Sequence, residues 1–239
     1  MSERYLRQIP LIGASGQEKL ASATVFIAGA GGLGSPVSMY LADVGIGCIR
    51  IADGDRVEES NLNRQLLHIA ERIGMPKSES AQQTLTSLNP SCRVVSFAEN
   101  VTDSSVTRLI GDASLIIDCL DNFEARYVLN RASQTLGLPL LHAAVSGYSG
   151  QLTLIVPGKT PCLSCIFPEV KSSEEKISSL GVCAGVVGSL QALEAVRVIL
   201  GLSTLNGKLL LYDATKNSLE TFSVKKSSRC PVCSGAENK

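Results

Sequence analysis

From residue 24 to residue 53 the chain runs TVFIA, a glycine-rich turn, SPVSMYLADV, a short break, CIRIA and then Asp53. A β-branched apolar run that ends in glycines predicts a strand over 24–30. The stretch 35–44 predicts a helix with Pro36 tolerated in its first turn, and 48–52 predicts a second strand. The turn Gly29-Ala30-Gly31-Gly32-Leu33-Gly34 matches G-x-G-x-x-G between a strand and a helix, the setting that pattern requires. Glycines let the backbone approach a phosphate and offer N–H donors, and the helix N-terminus adds partial positive charge. Asp53 ends the second strand about 20 residues on, where a carboxylate accepts ribose hydroxyls. A glycine turn needed only for packing would not require strand, helix and acid together. The turn does not choose between a nicotinamide cofactor and ATP.

The alternation continues downstream. Residues 77–88 predict an amphipathic helix behind Pro76, 93–98 a strand, 114–118 a short buried strand, 124–136 a helix and 140–145 a further strand. Strands spaced by helices imply an α/β fold with a Rossmann-like, mostly parallel sheet and helices on both faces. From Gly150 the pattern changes. Runs at 151–156 and 208–214 lack intervening helices of their own, and 218–224 alternates with period two after a turn at 215–217. These predict an antiparallel C-terminal extension ending in a hairpin, with a long apolar helix over 184–200. Upstream, 3–9 reads as a short polar helix and 15–23 as a second one beginning at Ser15. The most polar segment, 171–179 (KSSEEKISS), reads as a mobile loop. There is no internal repeat.

Charge excludes some functions. Twenty-two Lys and Arg balance 22 Asp and Glu, which argues against nucleic-acid and anionic-membrane partners, since both select a surplus of cations. Tryptophan is absent and aromatics are 4% of the chain, so a stacking platform for single-stranded nucleic acid is not expected. The uncharged stretches 20–42 and 132–158 contain Gly and Pro and read as buried strands with tight turns rather than membrane spans. MSERYLRQIP is charged at once and lacks an apolar secretory core, so a cytoplasmic protein is expected. Its eight cysteines then read as metal ligands or free thiols. Cys162-x-x-Cys165 and Cys230-x-x-Cys233 form two chelating pairs separated by 64 residues, a pattern that suits tetrahedral zinc held by four cysteines. Four thiolates leave no open position, so this zinc is expected to be structural. Cys48, Cys92 and Cys119 read as core, and Cys183 as a buried thiol.

A cationic set follows the ribose acid. Asp53 and Asp55 are succeeded by Ser60-Asn61-Leu62-Asn63-Arg64-Gln65 and by Lys77 at a helix start. Hydride transfer has no evident use for these cations. Attack on a nucleoside triphosphate does, because negative charge builds on the α-phosphate and leaving pyrophosphate. Asp118-Cys119-Leu120-Asp121-Asn122 sits at a strand's C-terminal end, where ligands of open α/β sheets bind. Asp121 there suits Mg²⁺ on a triphosphate, or alternatively an N-cap for the helix that follows. The only two histidines, His68 and His142, lie in apolar surroundings and read as structural.

RYLRQI, GAGGLGSP, DGDRVEESNLNRQ, GMPKSESA, DCLDN and GVVGSLQALEAVRVILG occur in this order. Together they resemble the ubiquitin-activating-enzyme-like ThiF/MoeB/HesA family, over residues 4–233. The resemblance implies an ATP- and Mg²⁺-dependent adenylyltransferase. Its substrate would be the C-terminal Gly-Gly carboxylate of a small ubiquitin-like sulfur-carrier protein, in thiamine or molybdopterin type sulfur transfer. It further implies a homodimer and a sulfurtransferase or cysteine desulfurase as a later partner. By motif, Gly31, Gly32 and Gly34 line the nucleotide and Asp53 takes the ribose beside Asp55. Asn61, Arg64, Gln65 and Lys77 surround the phosphates, and Asp121 with Asn122 supports Mg²⁺ or the reacting phosphate. Arg7 of the RQ pair matches the arginine that reaches into the partner subunit's site. The expected organisation is one domain over 1–239: N-terminal helices (1–22), a nucleotide-binding part (23–148), and a carrier-binding and zinc part (149–239). Many relatives hold a thioester or acyl-disulfide cysteine in the loop before the long helix. Residues 169–180 have none, so adenylation without a covalent carrier intermediate is expected. Activation of another carboxylate, such as a peptide terminus or a modified tRNA base, is the alternative. A nicotinamide oxidoreductase and a non-enzymatic dimeric scaffold are weaker ones.

Overall fold

The computed structural model describes residues 3–168, 170 and 178–234. After a short 3-10 turn at Glu3–Tyr5, helix α1 spans Ile9–Ser22 and breaks at Gly13, whose backbone is not helical (φ 72°, ψ 168°). The expected helix over 3–9 is therefore only a turn, and the expected second helix is the part of α1 beyond the break. Strand β1 (Thr24–Ala28), helix α2 (Gly34–Val44) and strand β2 (Cys48–Ala52) form the predicted βαβ unit. Helix α3 (Lys77–Leu88) and strand β3 (Arg93–Phe97) follow. Then come α4 (Val106–Ile110), β4 (Leu115–Asp118), α5 (Phe123–Leu136) and β5 (Leu140–Ser146). The remaining elements are β6 (Ser149–Ile155), α6 (Leu163–Ile166), α7 (Gly181–Leu200), β7 (Lys208–Asp213) and β8 (Ser218–Ser223).

The eight strands make one sheet in the order β3-β2-β1-β4-β5-β6-β7-β8. Pairing is parallel from β3 through β5 and antiparallel from β5 through β8. The apolar run TVFIA explains the centre. Val25 and Ile27 enter one core with Val37, Leu41 and Ile51, while Phe26 and Ala28 enter the opposite core with Leu109, Ile116 and Leu129. A strand covered on both faces reads as continuous apolar sequence rather than as an alternation. Helix α7 is the one helix among the described residues that is long and apolar enough to cross a membrane. Here Ala184, Val187 and Ala195 are buried, and the helix packs on α2, β5 and β6. Of the polar stretch 171–179, residues 171–177 lie outside the described residues. Ser178 accepts a backbone hydrogen bond from Gly147 at 2.7 Å.

Candidate nucleotide-binding site and metal centre

β1 is followed across the sheet by β2 on one side and β4 on the other, so the strand order reverses between β1 and β4. Beyond the C-terminal ends of these strands such a reversal opens a crevice. A cavity of about 750 Å³ lies there, bounded by Gly31, Asp53, Lys77, Asp121 and, farther along, Gln151 and Tyr212.

The glycine turn is shaped by close backbone approach. Gly29 has φ of 101°, and a Cβ there would stand 2.7 Å from the Cys119 carbonyl oxygen. A Cβ on Gly34 would stand 2.0 Å from the Gly29 oxygen. Gly34 thus lets α2 start against the turn, and it does not line the cavity. Gly31 and Gly32 do line it. Asp53 holds the turn from β2, its Oδ2 accepting from Ala30 N at 2.8 Å and its Oδ1 from Asp55 N at 2.9 Å. Burial raises the Asp53 carboxyl above its ordinary range, with Lys77 pulling the other way.

The predicted cations converge. Lys77 opens α3 with 8% of its side chain exposed, and its Nζ lies 2.8 Å from Asp55 Oδ2. Arg64 borders the same cavity, its Nη1 donating to Ser60 O at 2.8 Å and Asn63 Oδ1 at 2.9 Å. Gln65 also lines it and is buried, with Oε1 receiving no hydrogen bond. Asp121 faces the cavity from the turn after β4 as an exposed carboxylate, accepting from Asn122 Nδ2 at 3.3 Å. A single exposed carboxylate fits the way Mg²⁺ is held, by one or two carboxylates plus substrate phosphates.

Besides Gly34, three predicted residues are placed differently. Asn61 is buried outside the cavity lining, where its Oδ1 accepts from Glu58 N at 3.1 Å in a local capping box. Asn122 lines the cavity, but its Oδ1 accepts from Ala125 N at 2.9 Å, so Asn122 rather than Asp121 caps α5. Arg7 is exposed in the N-terminal turn and does not line the cavity of its own chain.

One further cavity residue, Arg126, carries no sequence signal. Arg126 of α5 is buried, donates from Nη2 to Leu120 O at 2.5 Å, stands over the Phe123 ring at 5.0 Å, and leaves Nε without a hydrogen bond. Its Nε lies 3.7 Å from the fully buried Asp118. His142 is buried as expected, but its surroundings are polar: Nδ1 is 2.7 Å from Asp118 Oδ2. His68 likewise has Ser80 Oγ at 3.0 Å and Ala30 O at 2.9 Å. Burial lowers the pKa of both imidazoles. Cys119 is part of the core, as expected, and also borders the cavity, with burial pushing its thiol well up. Cys183 is buried in the first turn of α7.

Cys162, Cys165, Cys230 and Cys233 come together on the other side of the sheet, all four sulfurs within 4.8 Å of one another. Sulfur separations are 3.5 Å for Cys162–Cys230, 3.4 Å for Cys165–Cys233 and 3.9 Å for Cys162–Cys165. A tetrahedron with Zn–S of about 2.3 Å has edges of about 3.8 Å, so the donor set fits zinc in size and chemistry. Against the effect of burial, backbone N–H groups of Val232 and Cys233 hold the Cys230 thiol down to about 7. Burial and the neighbouring sulfurs raise the Cys162 and Cys233 thiols, so a bound cation is what would hold the four together as thiolates.

Comparison with known proteins agrees with this geometry. The model of the ThiF family matches residues 5–232. The sulfur carrier protein ThiS adenylyltransferase of Escherichia coli (strain K12) is 38% identical over 239 residues, covering 98% of this chain and 95% of that protein. The sulfur carrier protein adenylyltransferase of Thermus thermophilus is 41% identical, covering 97% and 90%. Among solved structures, E. coli MccB with AMPCPP and MccA superposes with a TM-score of 0.87 at 26% identity, covering 97% of this chain and 74% of that one.

Proposed function

The chain belongs to the ThiF family, and from that premise we propose that it is an ATP-dependent adenylyltransferase acting on the C-terminal Gly-Gly carboxylate of a small ubiquitin-like sulfur carrier. One observation carries the reading. Arg64, Lys77 and Asp121, distant in sequence, border one cavity with Gly31, Gly32 and Asp53.

A carboxylate is nucleophilic at neutral pH, so the enzyme's task is orientation and charge stabilisation rather than activation of a nucleophile. The carrier's terminal oxygen attacks the α-phosphorus, the bond to the bridging oxygen breaks, and acyl-adenylate and pyrophosphate result. Backbone N–H groups at Gly31 and Gly32 meet phosphate oxygens, and Asp53 accepts ribose hydroxyls. Lys77 and Arg64 oppose the charge that grows on the α-phosphate and the leaving group. Arg64 would exchange its bonds to Ser60 and Asn63 for phosphate. Mg²⁺, when bound, would neutralise part of the triphosphate charge, and Asp121 is the carboxylate available to hold it. Zinc on the four cysteines would be structural.

A homodimer is part of the reading. Leu66, Val182, Val186 and Leu193 are exposed apolar side chains that line a second groove of about 680 Å³, and that groove adjoins Arg64. A second copy seated there would lie beside the cavity, within the sense of the Arg7 assignment. The β7–β8 hairpin and residues 171–179 would receive the carrier. A sulfurtransferase or cysteine desulfurase would follow it in the cytoplasm.

The test is ATP–pyrophosphate exchange with full-length protein. Exchange should require a carrier ending in Gly-Gly and vanish when those two glycines are removed. No exchange with any Gly-Gly-ended carrier encoded in the same genome would overturn the reading.

A further inference from the structure

Three strands bring a row of polar groups up behind the cavity's far wall, two of them buried and the third, Gln151, part of the lining. Asp118, at the end of β4, lies opposite His142 on β5 in the parallel register. Gln151 on β6 pairs with Ala144, two residues along β5 from His142 and so on the same face. Both Asp118 and His142 are fully buried. His142 Nδ1 lies 2.7 Å from Asp118 Oδ2, and His142 Nε2 lies 3.3 Å from Gln151 Nε2. Arg126 approaches the same carboxylate from α5, and the Phe167 ring sits 5.9 Å from the imidazole.

The proton positions follow from the partners. A carboxylate paired with an arginine accepts and does not donate, so Nδ1 carries the imidazole proton. Burial keeps the ring neutral, which leaves Nε2 an acceptor. The Gln151 amide must therefore turn its NH2 to the imidazole, and its Oε1 is turned away from it. Gln151 lines the cavity, and among the described residues no group of the chain donates to that oxygen.

We propose that the Asp118–His142 pair positions Gln151 so that Oε1 accepts a main-chain N–H of the carrier's C-terminal tail. The proposal rests on the adenylyltransferase reading and extends it. A glycine tail has no side chain to recognise, so its peptide groups are what a site can read. A freely flipping amide would face the tail's N–H with its own donor half of the time. Locking the imidazole tautomer removes that misfit. Gln151 also belongs to the wall formed with Ser149, Gly150 and Tyr212, away from the glycine turn and Asp53, which suits an acyl tail rather than the nucleotide.

Two measurements test it. The chain has only two histidines, so nitrogen-15 imidazole spectra of the full-length protein resolve each ring, with His142→Asn identifying the signal. His142 should carry its proton on Nδ1 with Nε2 unprotonated. An Nε2–H tautomer overturns the proposal whatever the activity. Secondly, E. coli ThiS serves as carrier probe in pyrophosphate exchange. Gln151→Leu should raise the carrier KM about tenfold, as expected for one lost hydrogen bond, while the ATP KM and kcat stay within about twofold. Active wild type with an unchanged carrier KM in Gln151→Leu overturns the proposal alone. Wild type inactive with this and every other Gly-Gly-ended carrier removes the underlying reading, and the proposal with it.

Discussion

Replacing Lys77 by Met separates catalysis from folding more cleanly than any other change at this site. The side chain is 8% exposed, so its apolar stem is packed, and Met retains a stem of similar length. What disappears is the ammonium and its 2.8 Å pair with Asp55. Asp55 keeps 71% of its side chain exposed, so water replaces the lost partner. A pair with one solvated member contributes about 0–1 kcal/mol, and the buried ammonium no longer needs desolvating. Folding stability should therefore change by less than about 1 kcal/mol, a shift of about 2–4 °C in Tm for a chain of this size. Catalysis should respond differently. Removing one preorganised group aimed at developing charge typically costs about 10²–10³ in kcat, or roughly 2.7–4 kcal/mol. The assay pairs a thermal melt followed by circular dichroism with ATP–pyrophosphate exchange at saturating carrier. Asp55→Asn is the control: it breaks the same ion pair but leaves the ammonium in the cavity, so most of the activity should survive. If Lys77→Met keeps exchange within about threefold of wild type, the ammonium does not face the reacting phosphates. If Lys77→Met and Asp55→Asn lose activity equally, Lys77 matters only as half of an ion pair.

Three further outcomes are expected. Elemental analysis of reduced protein should find about one zinc per chain, and Cys162→Ser with Cys230→Ser should lose it and melt at lower temperature; a double variant that retains the metal refutes the site. Gly34→Ala places a methyl 2.0 Å from the Gly29 oxygen, so the turn must shift at a cost of about 1–3 kcal/mol by denaturant titration, with weaker ATP binding by calorimetry. His68 and His142 both have folded-state pKa values below the ordinary histidine value of about 6.5. The unfolded chain then binds more protons below about pH 6.5, so stability is full above that pH and falls as pH drops through the folded values, by at most about 1.4 kcal/mol per pH unit for each histidine. Urea melts between pH 5.5 and 7.5 read this slope, and a flat profile would contradict the buried neutral rings.

The parts of the molecule that show in the sequence are those set by local rules. The βαβ unit is announced by a strand, a glycine turn and an acid in order, and α3 begins at Lys77 because Pro76 stops what precedes it. The short helices α4 and α6 carry no such signal because five and four residues are too few to display a helical period. Asn61 and Asn122 show a different limit. Both sit inside motifs that point to phosphate, yet each side chain accepts from a neighbouring backbone N–H. An asparagine near a turn or helix start satisfies local backbone as readily as a ligand, and sequence does not separate the two. His142 is legible as buried, but its contact with Asp118 depends on β4–β5 register, which neither composition nor periodicity encodes.

The direct turn from β5 into β6 is why the cavity extends past the glycine turn and Asp53. In a fully parallel sheet the ligand edge is made of strand C-termini only, each separated from the next by a crossover. Here β5 turns directly into β6, with Ser146 paired to Ser149. β6 therefore begins at the edge where β1, β4 and β5 end, and β7, antiparallel to β6, ends there at Tyr212 and Asp213. Two kinds of strand terminus thus share one rim. The parallel half supplies the glycine turn and Asp53, the antiparallel half supplies Gln151 and Tyr212, and Asp121 and Arg126 stand between them. The position of α7 depends on the same turn. A Cβ on Gly150 would lie 2.2 Å from Val187 Cγ2, so glycine lets β6 run close under α7, and a larger residue would require Val187 or the helix to shift. The cysteines after β6 and after β8 meet on the far face. Zinc there would tie the end of the described chain to the sheet that carries Gln151. A reaction joining a carboxylate to an α-phosphate needs its two binding halves held in fixed relation, and hydrogen bonding across a continuous sheet from β2 to β7 supplies that relation.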